Sequence, residues 1–262
     1  MHQVVGNIQG KEVTLETGKF AKQANGSVIL RCGDTVLLAV ATMSSKPKEG
    51  IDFFPLTVEF VEKYYSSGKI AGGYIKREAR PSKNATLLSR LIDRPLRPCF
   101  PDGLYNEVQV VINLLSYDDQ LPLEHLSIIA ASAAIGVSDI PFNRLVGAAQ
   151  IADIDNELVC NPSVDQLTDS KLDMIVSGTN DAVLMIESGA KELSEERMID
   201  AITHGHEVIK ETIKLQEELV NKINPEKQSV PVIEEDQTLV ANIESFIGSK
   251  IFDNLQNGKK KE

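Results

Sequence analysis

The sequence predicts an α+β fold with a mixed or antiparallel sheet, and two observations predict it. β-rich runs come in pairs joined by short turn signals, and helical stripes stand between blocks of those pairs rather than alternating with single strands. The chain has 262 residues, enough for one large domain or one and a half. Hydrophobic residues make up 42% and aromatic residues 5%, so aliphatic side chains must build the core.

The elements follow in order. "GSVILRCGDTVLLAVATM" (26–43) holds two β-rich runs around Gly33-Asp34, a hairpin signal. "FFPLTVEF" places Phe54, Leu56, Val58 and Phe60 on one face by alternation, which predicts a half-buried strand. "NATLLSRLID" (84–93) predicts a short helix that Pro95 ends. "EVQVVINLLSY" (107–117) is more continuously apolar and predicts a central strand. "EHLSIIAASAAIGVS" (124–138) predicts a buried helix whose Ala and Ser residues allow close approach to a sheet.

Two further hairpins are predicted, with turns at Asp155-Asn156 and near Gly178 to Asp181. A long helix starts after Ser194, a suitable N-cap with Glu195 and Glu196 in the first turn. Asn224-Pro225 stops it. Residues 224–236, "NPEKQSVPVIEED", read as a linker, and "TLVANIESFIGSKIFDNLQ" predicts a last helix with a broad apolar stripe. Only "NGKKKE" follows it here. A stripe that large needs a partner surface: either it docks back on the main domain, or the chain is a piece of a longer protein whose partner surface lies downstream, the expectation preferred here.

No apolar stretch is long enough for a membrane span, and the opening "MHQVVGNIQG" lacks a basic start followed by an apolar run. Neither a span nor a signal peptide is expected. Cys32, Cys99 and Cys160 are isolated and odd in number, which points to free thiols in a reducing compartment, neither a disulfide framework nor a zinc site.

Charge is the most informative feature. The chain carries a net −11, yet residues 76–97 hold seven basic side chains against Glu78 and Asp93, a net +5 that leaves −16 for the remainder. Arg90 and Arg94 are four apart, so they share a helix face, and Arg97 follows closely. Guanidiniums grouped this way suit phosphates, because each offers a planar fork of donors and keeps its charge. Upstream, "GGYIKR" (72–77) sets a ring and two cations beside a glycine pair, a combination suited to single-stranded nucleic acid. The acidity of the rest argues against indiscriminate binding of nucleic acid over the whole surface.

Catalytic signals are weak. His204 and His206 lie roughly 200° apart around a helix and cannot share a metal from one face. His2 and His125 have no evident partners, and no glycine-rich nucleotide fingerprint, G-x-S-x-G or H-E-x-x-H is present. The residues alone support a phosphate- or RNA-reading block with no identifiable catalytic machinery.

"FFPLTVEFVEKYYSSGKIAGGYIKREARPS", "LIDRPLRPCFPDG", "NEVQVV", "ASAAIGVSDIPFN", "GAAQI" and "SKLDMIVSGTNDAVLMIESGAKELSE" together resemble the N-terminal part of the polynucleotide phosphorylase family, over essentially the whole chain. The resemblance implies a first RNase PH-like (ribosomal protein S5 domain 2-like) domain over 1–222. It implies a linker and the start of an all-helical domain over 223–262.

For the whole protein the resemblance implies phosphate-dependent 3′-to-5′ degradation of single-stranded RNA to nucleoside diphosphates. It also implies a homotrimeric ring, a cytoplasmic location, no membrane partner, and other RNA-degradation proteins as companions. Mg²⁺ and inorganic phosphate would be bound outside this chain, and no catalytic residue is carried over. The positions matching the family's RNA-gripping loop are Tyr74, Ile75, Lys76 and Arg77; Ile75 stands where a stacking ring is usual. Arg80, Arg90, Arg94 and Arg97 match arginines near the family's RNA path. The rival expectation is a non-catalytic RNA-binding scaffold subunit of the same fold.

Overall fold

The computed structural model describes residues 1–48, 50–72, 80–230, 237–256 and 258. It divides into two units, Met1–Val230 and Pro231–Glu262.

The first unit opens with β1 (His2–Ile8) and β2 (Lys11–Thr17), then β3 (Gly26–Cys32), β4 (Thr35–Pro47) and β5 (Leu56–Glu62). Helix α1 (Lys83–Leu96), β6 (Asn106–Ser116) and α2 (Glu124–Gly136) follow. Next come β7 (Gly147–Ile154), β8 (Glu157–Cys160), α3 (Val164–Asp169), β9 (Leu172–Gly178), β10 (Val183–Ala190) and α4 (Glu195–Ile223). One sheet has the order β1-β2-β3-β4-β6-β5, with β5 parallel to β6 and every other neighbour antiparallel. The second, β10-β9-β7-β8, is antiparallel throughout. The expected mixed sheet is therefore one of two sheets.

Helices α1, α2 and α4 each touch strands of both sheets, so they form a middle layer between them. This explains α2. Every residue from His125 to Gly136 is buried, because the helix has a sheet on two sides and α1 and α4 on its flanks. Its small side chains let strands come close. A Cβ on Gly26 of β3 would run into the Ala134 carbonyl oxygen, and one on Gly147 of β7 would lie 2.6 Å from the Ile209 carbonyl oxygen of α4.

Local signals account for most boundaries. Asp155 and Asn156 both have positive φ, 51° and 66°, as the tight β7–β8 turn requires. Ser194 caps α4 by accepting from the Arg197 N–H, and Asn224 closes it in the left-handed conformation.

Two expectations are corrected, and one hairpin, β1–β2, is additional to those expected; its turn is Gln9-Gly10, both at positive φ. Strand β6 lies one place from the sheet edge, and its buried residues alternate rather than run continuously. Helix α1 does not stop before Pro95 but carries it inside. A proline there removes its own N–H, yet the helix continues for another residue beyond it. The Arg97 N–H reaches the Asp93 carbonyl, while Pro95 and Leu96 are buried in the core.

The first half of the segment read as a linker is anchored. Lys227 Nζ donates to the carbonyl oxygens of Ile135, Gly136 and Ser138 at 2.7–3.0 Å, filling the C-terminal end of α2. Gln228 donates from its backbone N–H to the Asp139 carbonyl and from its side chain to the Asp139 carboxylate. The second unit contains α5 (Gln237–Gln256), the last predicted helix. Among the described residues, no helix is long and apolar enough to cross a membrane.

Candidate nucleic-acid interface

Helix α1 positions the arginines. Ser82 caps it, accepting from the Ala85 N–H at 2.9 Å. Its inner face buries Ala85, Leu91, Ile92, Pro95 and Leu96. Ser89 ties it to β5, accepting from the Phe60 N–H and donating to the Ala85 carbonyl. With one face fixed, Arg90 and Arg94 are left exposed, and Arg80 stands exposed two residues before the cap.

The arginines do not share one environment. Among the described residues, Arg80 and Arg90 have no ion-pair partner, so their forks are available to an anion. Arg94 Nη1 meets Glu187 Oε2 of β10 at 2.9 Å, with both side chains more than half exposed. Such a pair is worth little in water and yields readily to a phosphate. Arg97 is held most firmly. It donates to both Asp93 oxygens (2.7 and 3.2 Å) and to the carbonyls of Phe54 (2.9 Å) and Leu56 (3.2 Å), and it lies over the Phe54 ring. Its fork clasps the end of α1 to the start of β5. Tyr74, Ile75, Lys76 and Arg77 lie outside the described residues.

Beside the start of α1 opens a cleft of about 910 Å³. Its lining includes the cations Lys63, Lys69 and Arg80, the carboxylates Glu62, Glu124 and Asp173, and Gln150. Gln150 is 2% exposed and donates from Nε2 to Asp173 Oδ1 at 2.7 Å, while its Oε1 has no partner. Burial pushes the Glu124 carboxyl upward, and the negative charge of Asp173 pushes the same way. Backbone N–H groups of Glu124 and Leu123 partly oppose this. The sequence reading missed this group. Its one legible signal was Gln150 itself, a polar side chain in the otherwise apolar run "GAAQIA".

Other titratable groups serve packing. His206 Nε2 meets the Thr179 carbonyl at 3.0 Å. Burial pushes the Cys99 and Cys160 thiols up, to about 11 and about 12, away from thiolate chemistry. Among the described residues, no group of three or more His, Cys, Asp or Glu is arranged to hold a metal ion.

Residues 9–141 match domain 1 of the 3′ exoribonuclease family, and residues 144–208 match its domain 2. The chain belongs to the 3′ exoribonuclease family. The first matched segment holds β2 to β6 of the six-stranded sheet and ends after α2, and the second holds the four-stranded sheet, running from β7 into α4. The polyribonucleotide nucleotidyltransferase of Roseiflexus castenholzii is 47% identical over 99% of this chain, and that of Heliobacterium modesticaldum 46% over 97%. The match covers 35% and 36% of those proteins, so the chain spans about a third of the length of the curated relatives it matches. Rice Rrp46 shares the fold, with a TM-score of 0.64 at 15% identity, covering 79% of this chain and 94% of that one. The RNase PH-like α+β architecture expected from the sequence is the one observed.

Proposed function

We propose that this chain is the RNA-guiding part of a polyribonucleotide nucleotidyltransferase, an enzyme that uses phosphate to shorten single-stranded RNA from its 3′ end and releases nucleoside diphosphates. The observation that carries the proposal is the end-to-end identity of nearly half with proteins of that name. Residues 1–222 form the first RNase PH-like domain, and the residues from 223 begin an all-helical domain. Catalysis, with Mg²⁺ and inorganic phosphate, belongs to a part of the protein outside this chain. The working assembly is a cytoplasmic homotrimer whose ring presents three copies of the arginine face to one strand, with other RNA-degradation proteins as companions.

Within this chain the exposure and pairing of the arginines support the roles given to them, and the sequence alone supports those of Tyr74, Ile75, Lys76 and Arg77. Arg80 and Arg90 bind phosphates, and Arg94 exchanges Glu187 for a phosphate when RNA is present. Arg97 fixes the angle at which α1 presents them. Tyr74 stacks a base, Lys76 and Arg77 hold the backbone beside it, and Ile75 adds an apolar contact where a ring would grip more strongly.

The test is to incubate the purified 262-residue chain with oligoadenylate, phosphate and Mg²⁺ and assay nucleoside diphosphates. No release above blank is expected. Release that disappears on mutating a residue of this chain would overturn the division of labour. The rival reading, a scaffold subunit that never joins a catalytic part, predicts no activity in the intact gene product either.

A further inference from the structure

We infer that Glu187 of β10 is a positioning residue of the arginine face: it holds the Arg94 fork when no phosphate is there and takes it back as a strand moves on, so that α1 lets go of RNA quickly. This role rests on that of α1 as an RNA guide, proposed above.

Three arginines on one helix stand in three states. Arg97 is committed, with Asp93 and two backbone carbonyls on its fork. Arg90 is exposed and has no ion-pair partner among the described residues. Arg94 is exposed too, one helical turn from Arg90, but its Nη1 donates to Glu187 Oε2 at 2.9 Å. Among the described residues its other donors meet no acceptor. A phosphate can therefore land on the open side of the fork before the carboxylate lets go.

The carboxylate stays beside the fork whether or not a phosphate is present. Glu187 is on an edge strand of the four-stranded sheet, its backbone in register with Ile175 of β9, while Arg94 is carried by α1, which packs on β5 of the other sheet. An exposed pair of this kind adds little to stability. What it changes is the charge that a phosphate meets. In a segment of net +5, Glu187 sets one negative charge at hydrogen-bond distance from one fork. A phosphate on Arg94 shares the fork with that charge or displaces it, and either way it is held less tightly than on Arg90. A strand that is shortened step by step has to move after each step, and a contact with a standing competitor is lost sooner.

In the whole protein to which we assign this chain, measure the dissociation rate of a fluorescein-labelled oligoadenylate by stopped flow and its affinity by anisotropy, at low salt. The variants are Glu187→Gln, Arg94→Ala, the two combined, and Arg90→Ala. Glu187→Gln is expected to slow dissociation and tighten binding about threefold, the fold-change that corresponds to an exposed ion pair. With Arg94→Ala already present, adding Glu187→Gln should change neither quantity. An equal gain in that background overturns the inference, since Glu187 would then act as a general negative charge and not through Arg94. Wild-type dissociation and affinity in Glu187→Gln also overturn it. If Arg90→Ala still weakens binding in that case, only the role of Glu187 falls; if Arg90→Ala has no effect either, the role of α1 as an RNA guide falls with it.

Discussion

Arg97 and Asp93, one helical turn apart at the end of α1, are joined by two hydrogen bonds, and the same guanidinium also holds the Phe54 and Leu56 carbonyls ahead of and within β5. A side chain with four donors committed inside the fold is a fastening. Arg90, on the same helix and exposed, is its counterpart: a cation held in place by the helix and committed to nothing among the described residues.

The first prediction separates these roles by stability. Arg97→Ala should destabilise the domain by roughly 1–2 kcal/mol, a figure reduced for the solvent screening of a partly exposed pair. Arg90→Ala should stay within about 0.5 kcal/mol of wild type. Urea denaturation measures both. An Arg97→Ala variant as stable as wild type would show that the clasp holds nothing.

The second prediction concerns close packing in the middle layer. Gly26→Ala sets a methyl group against the Ala134 carbonyl, and Gly147→Ala sets one against Thr212 and Ile209. Each must push a strand off a helix, at a cost of about 1–3 kcal/mol or more. Gly189→Ala, which meets nothing within 4 Å, is the control and should be near neutral. Thermal unfolding of the three variants decides it.

The third prediction is a pH dependence. His125 is buried in α2, and burial, helped by the Lys11 charge, holds its pKa down to about 3 from 6.5. The unfolded chain therefore takes up a proton below pH 6.5 that the folded chain refuses. Stability from this group is complete above pH 6.5 and falls by up to about 1.4 kcal/mol per pH unit toward pH 3. Carboxylates titrate in the same range, so the observable is the difference between wild type and His125→Leu. That difference should change steadily between pH 6.5 and 4. A constant difference would show that His125 is protonated in the folded state.

Local rules made much of the fold legible in the sequence. Gly33-Asp34 and Asp155-Asn156 form the turns their chemistry favours, and Ser194 and Asn224 bound α4 as capping predicts. What stayed hidden depends on distant partners. Pro95 stands inside α1, buried with Leu96 in the core, and the helix continues past it to the Arg97 N–H on the Asp93 carbonyl, which no window of sequence shows. The β1–β2 hairpin turns on Gln9-Gly10, a weaker signal than Asn-Gly or Asp-Gly. In the site, the arginine block stood out by charge alone. Its division into available and committed members did not, because Glu187 and the Phe54 carbonyl are far along the chain from their partners. Glu124, Gln150 and Asp173 converge only through the packing of α2 against the second sheet.

The most direct measurement of the central claim is single-stranded RNA binding by fluorescence anisotropy across a salt series, in the whole protein to which we assign this chain. Arg80→Ala and Arg90→Ala should each weaken binding and reduce the slope of log K against log salt by about 0.7, one phosphate contact on a single strand. Tyr74→Ala should cost about 1–3 kcal/mol with the slope nearly unchanged, because stacking is not screened. Ile75→Phe should strengthen binding slightly. If Arg80→Ala, Arg90→Ala and Tyr74→Ala all leave affinity and slope as in wild type, the basic segment is a solvated surface and does not guide RNA.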